Sequence, residues 1–219
     1  MRSPMRWLAL AMMGLCLVLV QALQHQATEL DELRQQYRTH HREIRVVEAE
    51  LQSLRVETSV RNVLDANNIN VPRHKQQEIA QSILEVSNHY DLQPELILAM
   101  IFTESRFDVY AESEAGAIGL MQLRPATAMA VADELELNWK GQRLLTDPQI
   151  NILLGTSYLH YLLQRYDEHG LDYALAAYNV GPSKFDELLL ERGRPPARYA
   201  RQVRQVSEDL REEFFYEQR

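Results

Sequence analysis

"DLQPELILAMIFTES", residues 91–105, is the stretch on which the fold class turns. Pro94 stands where the first turn of a helix tolerates a missing N–H, and Asp91 just ahead of it is placed as a cap. A helix starting near Gln93 carries the apolar run Ala99, Met100, Ile101, Phe102 and puts Glu104 in its last turn. That end of a helix bears partial negative charge, which disfavours a second one. Met100 and Ile101 lie one turn back on the same helix. Both effects push a carboxyl toward its neutral form, and a neutral carboxyl in an apolar cleft serves as an acid. A glutamate near a helix end is more often a solvated surface residue, so this stretch alone leaves Glu104 undecided between the two.

The same helical reading extends outward. "RHKQQEIAQSILEVSNHY" shows Ile79, Ile83 and Val86 on one face. "LRPATAMAVADEL" has Pro125 early in a helix, and "DPQINILLGTSYLHYLLQRY" has Asp147 as cap with Pro148 in the first turn. "LDYALAAYNVG" runs into Gly181 and Pro182, a firm stop. "PPARYARQVRQVSEDLREEFF" is amphipathic. No stretch alternates as a strand would, so the domain over 74–215 is all-α.

Upstream the chain changes character. Residues 26–62 contain no glycine or proline, and steps of three and four join Leu30, Leu33, Tyr37, His40, Ile44, Val47, Leu51 and Leu54. That is a heptad seam broken only by His40. It predicts a coiled-coil stalk over 24–62, homodimeric or paired with another helix; one amphipathic helix lying on the domain is the alternative. "LDANNINVPRHK" interrupts the pattern with three Asn and a Pro and gives a linker over 63–73. At the start, Arg2 and Arg6 precede an apolar run over 7–20. This run is shorter than the ~20 residues of a full bilayer span, so 1–23 reads as a signal peptide or a retained signal anchor. The positive start would stay inside and the remainder would face outward. Passage directly into a helical stalk favours the anchor.

Composition narrows the function. The 219 residues are 46% hydrophobic, enough for a packed core, and the net charge of −8 excludes a nucleic-acid partner held by phosphates. The one cysteine, Cys16, lies in the N-terminal apolar run; no disulfide within the chain, no CxxC and no HExxH exist, and no metal or cofactor is implied.

Three short segments then accompany Glu104. "SEAGAIGLMQLRP", residues 113–125, places Gly116 and Gly119 in a loop before a helix, where glycine permits close backbone approach by a ligand. Gln122 offers a donor and an acceptor suited to an N-acetyl amide. "ALAAYNVGP" sets Tyr178 and Asn179 beside another glycine turn. Taken singly, each has an ordinary reading: core for Met121, a half-buried aromatic for Tyr178, a helix cap for Asn179. Together, "ES" at 104–105, "GLMQ" at 119–122 and "AYN" at 177–179 occur in order, and region 75–210 resembles the catalytic domain of the soluble-type lytic transglycosylases, a lysozyme-like α-helical fold.

The resemblance implies a peptidoglycan enzyme that cuts the β-1,4 bond between N-acetylmuramic acid and N-acetylglucosamine and leaves a 1,6-anhydro end. It implies Glu104 as the single acid/base. It further implies Ser105, Ser113, Gly119, Met121, Gln122, Tyr178, Asn179 and Tyr199 as substrate-cleft residues, with Tyr178 or Tyr199 orienting Glu104 and holding it protonated. Such an enzyme would act on glycan strands in the periplasm, held at the inner membrane by residues 1–23 or released there after cleavage. The sequence departs from the family at Asp108-Val109, where many members have Asn-Pro; this adds a carboxylate near the cleft. Two other readings stay open. One is a goose-type-lysozyme-like hydrolase with Asp108 or Glu112 as base. The other is a non-catalytic glycan-binding scaffold carried on the coiled coil.

Overall fold

A computed structural model describes the backbone of residues 4–216 and side chains over 12–212. The chain divides into two compact units, Met1–Leu51 and Gln52–Arg219. Among the described residues the first unit is helix α1 (Pro4–Ala66) as far as Leu51, and the remaining turns of that helix belong to the second unit. Within the first unit, Leu30, Leu33, Tyr37, Ile44, Val47 and Leu51 are all exposed. Among the described residues no helix is long and apolar enough to cross a membrane. The expected anchor begins in residues that lie outside the described set: Arg2 entirely, and the side chains of Arg6 and Trp7.

The second unit is helical, built from the end of α1, α2 (Arg73–Tyr90), α3 (Pro94–Ser105), α4 (Pro125–Glu134), a short 3-10 helix (Gln142–Thr146), α5 (Pro148–Arg165), α6 (Leu171–Val180), α7 (Pro182–Arg192) and α8 (Arg198–Tyr216). Helix α5 is its centre and packs on α2, α4, α6 and the 3-10 turn, while α8 closes over α3 and α6. The core is correspondingly apolar: α3 buries every residue from Leu96 to Ile101, and α6 buries Ala174 to Tyr178.

Several local features differ from the sequence expectation. Asp91 does not cap α3. It ends α2 in the left-handed conformation at φ 53°, and α3 starts from Gln93 with no side-chain cap, its first orphan N–H removed by Pro94. Asp147 does cap α5, accepting from the Ile150 N–H at 3.1 Å. Gly181 and Pro182 stop α6 and at once start α7, because proline is as well suited to a first turn as it is unsuited to a last one. The helix over the expected stalk runs on past 62 to Ala66. Its final turns are not stalk-like: Val56, Val60, Val63 and Leu64 are buried in the main core. The helix ends at Ala66, with the Asn67 side chain donating to the Val63 carbonyl and Asn68 at φ 54°.

Candidate active site

The α3 helix delivers Glu104 to the end of a buried rod. Met100 and Ile101, one turn below it, are fully buried. Burial lifts the carboxyl from 4.5 to about 7, and a hydrogen bond from Tyr199 opposes that rise. The Tyr199 hydroxyl, on α8, donates to Glu104 Oε1 at 2.5 Å across 95 residues of chain. This bond favours the carboxylate. Tyr199 therefore orients Glu104 but does not hold it protonated; burial does that. The α3 helix must end abruptly here, and it does so with Arg106 and Phe107 both at positive φ, 50° and 65°. The Phe107 side chain is buried, which supplies packing against the cost of that backbone.

The cleft in front of Glu104 holds about 310 Å³ and is lined by Ser113, Gln122, Tyr158, Tyr178, Asn179 and the start of α7, among others. Glu104 is the only carboxylate among the described lining residues. Asp108 and Glu112 are exposed and do not line it; Asp108 turns back to accept the Tyr110 N–H at 2.9 Å. A second depression of about 370 Å³, lined by Pro196, Arg198, Tyr199 and Gln202, shares Asn179 and Val180 with the cleft.

One wall of the cleft is the loop between α3 and α4, and a buried asparagine on α5 shapes it. Asn151 Oδ1 accepts the Met121 N–H at 2.7 Å, and its Nδ2 donates to the Ile118 and Leu145 carbonyls at 3.0 and 2.9 Å. From the other side the Tyr178 hydroxyl donates to the Met121 carbonyl at 2.9 Å. Met121 is thus spoken for at both backbone atoms, and its side chain is fully buried against Gly155, where a Cβ would come within 2.6 Å of Met121 Sδ.

Two expected cleft residues are corrected by this arrangement. Met121 is core and does not face the cleft, because its N–H and carbonyl are consumed by Asn151 and Tyr178. Ser105 donates to the Ile101 carbonyl of its own helix at 3.2 Å and is not among the lining residues. Gly119 also has a different physical reason from close approach by a ligand. At φ 82°, a Cβ there would stand 2.2 Å from the Leu145 carbonyl oxygen and 2.4 Å from Asn151 Nδ2. The glycine makes room for the asparagine.

Ser113, Gln122, Tyr178 and Asn179 do line the cleft. Ser113 Oγ accepts the Ala117 N–H, and Gln122, at φ 48°, donates from Nε2 to the Ala111 and Gly119 carbonyls, both at 3.1 Å. With its donor occupied, Gln122 presents chiefly its carbonyl oxygen. Tyr178 contacts the Met121 carbonyl rather than Glu104, and burial together with the nearby Glu104 charge pushes its hydroxyl well up. Sequence reasoning missed Asn151 and Tyr158. A polar residue inside the apolar stripe of α5 was the available signal for Asn151. Tyr158, which packs on Tyr178 with ring centroids 5.3 Å apart, sat in that stripe as an ordinary aromatic. Burial raises its hydroxyl to about 12.

Among the described residues no cluster of His, Cys, Asp or Glu is arranged to hold a metal. The chain is 35% identical over 95 residues to the soluble lytic murein transglycosylase of Salmonella typhimurium, covering 43% of this chain and 15% of that protein. It is 38% identical over 88 residues to membrane-bound lytic murein transglycosylase E of Buchnera aphidicola, covering 38% of this chain and 39% of that one. The chain thus spans well under half the length of these relatives. The crystal structure of the 70 kDa soluble lytic transglycosylase of Escherichia coli superposes with a TM-score of 0.53 at 24% identity, over 62% of this chain and 24% of that one, which shows the shared fold. The transglycosylase SLT domain model matches residues 81–199, from within α2 to the tyrosine that holds Glu104. A match spanning more than half of the chain makes it a member of the transglycosylase SLT domain family.

Proposed function

We propose that the protein is a peptidoglycan lytic transglycosylase that cuts the β-1,4 bond between N-acetylmuramic acid and N-acetylglucosamine. One observation carries this reading: a single carboxyl faces the cleft, raised by burial to about 7, and no second carboxylate lines that cleft among the described residues. Retaining glycosidases of the ordinary kind need two carboxyls, one as acid and one as nucleophile, and inverting ones need a second as base for water. A lone carboxyl suits a reaction in which the substrate supplies the other partner. Protonated Glu104 gives its proton to the glycosidic oxygen as the bond to the anomeric carbon breaks. The muramic acid N-acetyl group stabilises that carbon. The carboxylate, now held by the Tyr199 hydroxyl, takes the proton of the C6 hydroxyl, whose oxygen closes on the anomeric carbon. The acid returns to its starting state, no water is consumed, and the product carries a 1,6-anhydro ring.

A pKa near neutrality suits a group that must serve as acid and then as base. The Tyr199 bond favours the second state while burial favours the first, so neither form is strongly trapped. Ser113, Gln122 and Asn179 supply polar contacts along the cleft, and Tyr158 and Tyr178 supply aromatic surface for a sugar face. The exposed positions of Asp108 and Glu112 leave a hydrolase without a base at the cleft. In the cell we place the catalytic unit in the periplasm, tethered to the inner membrane by residues 1–23.

The test is digestion of purified sacculi by the full chain, with product masses read out. Products lighter by one water than hydrolysed muropeptides are expected. The Glu104→Gln variant should fold and lose about 10²- to 10⁴-fold in rate, the usual contribution of a general acid. Hydrolysed products, or full activity in Glu104→Gln, would overturn the proposal.

A further inference from the structure

The α1 helix exposes an apolar seam whose flanking charges are not symmetric. Leu30, Tyr37, Ile44 and Leu51 form one row, and Leu33, His40, Val47 and Leu54 form the other, the a and d rows of a heptad. The seven apolar or aromatic members are all more than two-fifths exposed. On one flank, the g positions, stand Glu29, Gln36, Glu43, Glu50 and Glu57. On the other flank, the e positions, stand Arg34, His41, Glu48 and Arg55.

We propose that residues 30–54 pair with the same residues of a second copy of this chain in a parallel, in-register, two-stranded coiled coil. The charges select this arrangement. In a parallel pair each g residue meets the e residue five positions further along on the other helix. Glu29 then meets Arg34 and Glu50 meets Arg55, each twice by symmetry. Gln36 meets His41, and only Glu43 meets a like charge, Glu48. In an antiparallel pair the g flank meets itself, and that sets an almost wholly acidic column against its copy.

Within one helix, Arg34 also contacts Asp31 at 3.3 Å, and His40 contacts Glu43 at 3.3 Å. These contacts are between largely exposed side chains and compete only weakly. His40 at a d position and the Glu43–Glu48 repulsion keep the pair modest in strength. The inference goes beyond the catalytic reading and is independent of it.

Single-cysteine versions of the full chain in mild detergent test the arrangement, with Cys16→Ser as background. Leu33→Cys should cross-link to itself on mild oxidation, far faster than Gln35→Cys on the outer face. Sedimentation should return the mass of two chains. Glu48→Arg should tighten the dissociation constant about tenfold by converting two like-charge pairs into opposite ones. In an antiparallel pair Leu33 and its copy would lie about 27 Å apart along the axis, given a rise of about 1.5 Å per residue. Leu33→Cys would then link only to Leu51→Cys in a mixed sample. That result would overturn the proposal. So would equal cross-linking at 33 and 35, the mass of one or three chains, or no tightening by Glu48→Arg.

Discussion

The chemistry of Glu104 rests on two opposed forces at one oxygen pair. Burial raises the carboxyl to about 7, and the Tyr199 hydroxyl lowers it. A group whose folded pKa lies above its unfolded value stabilises the fold fully below the unfolded value. That contribution is lost as pH rises to the folded one. Here the window runs from 4.5 to about 7, and the loss amounts to about 3 kcal/mol. Glu104→Gln keeps an acceptor for Tyr199 and never ionises. It should therefore be more stable than the parent above pH 7 and indistinguishable at pH 4, as chemical denaturation at the two pH values would show. Activity of the parent should fall as pH rises through about 7, where the acid is lost. Tyr199→Phe removes the bond that favours the carboxylate. The falling limb of the pH–rate profile should move to higher pH, and the rate should drop about 10- to 100-fold, the usual loss of a hydrogen bond to a charged group. An unmoved limb with a reduced rate would leave Tyr199 a structural role only.

At the level of elements, α5 and the α3–α4 loop are interdependent. Asn151 satisfies one N–H and two carbonyls of a wall that has no regular secondary structure to satisfy them. Gly119 exists to admit it. Gly119→Ala would combine a strained φ with a Cβ driven into backbone and side-chain atoms, and should cost about 3 kcal/mol or more. In this unit each 1 kcal/mol moves Tm by about 2–4 °C, so a fall of about 10 °C in thermal unfolding is expected. An unchanged Tm would mean that the loop does not depend on this packing. The α3, α5 and α6 helices were legible in sequence because prolines, an Asp cap and glycine stops punctuate them. The α7 helix was not, since Gly181-Pro182 reads as a terminator until a following helix is seen to start on the same proline.

The whole molecule divides elsewhere than its heptads suggest. Val56, Val60, Val63 and Leu64 belong to the core of the unit that carries the site. At about 1.5–3 kcal/mol each, their burial contributes roughly 6–12 kcal/mol, comparable with a domain's entire net stability. A chain beginning at 74 should therefore be largely unfolded at room temperature, and one beginning at Gln52 should keep a cooperative transition, as circular dichroism on heating would show. The sequence by itself determined the helical class, the order of the punctuating residues, the heptad spacing of the seam and the three segments around Glu104, because these are written in local spacing and side-chain chemistry. Only the tertiary structure decided which tyrosine reaches Glu104, that Met121 is core, that Asp108 points away and that the end of α1 belongs to the domain. Each of these depends on contacts between residues far apart in the chain, where a buried polar atom takes whichever partner the packing of α5 and α8 brings within reach.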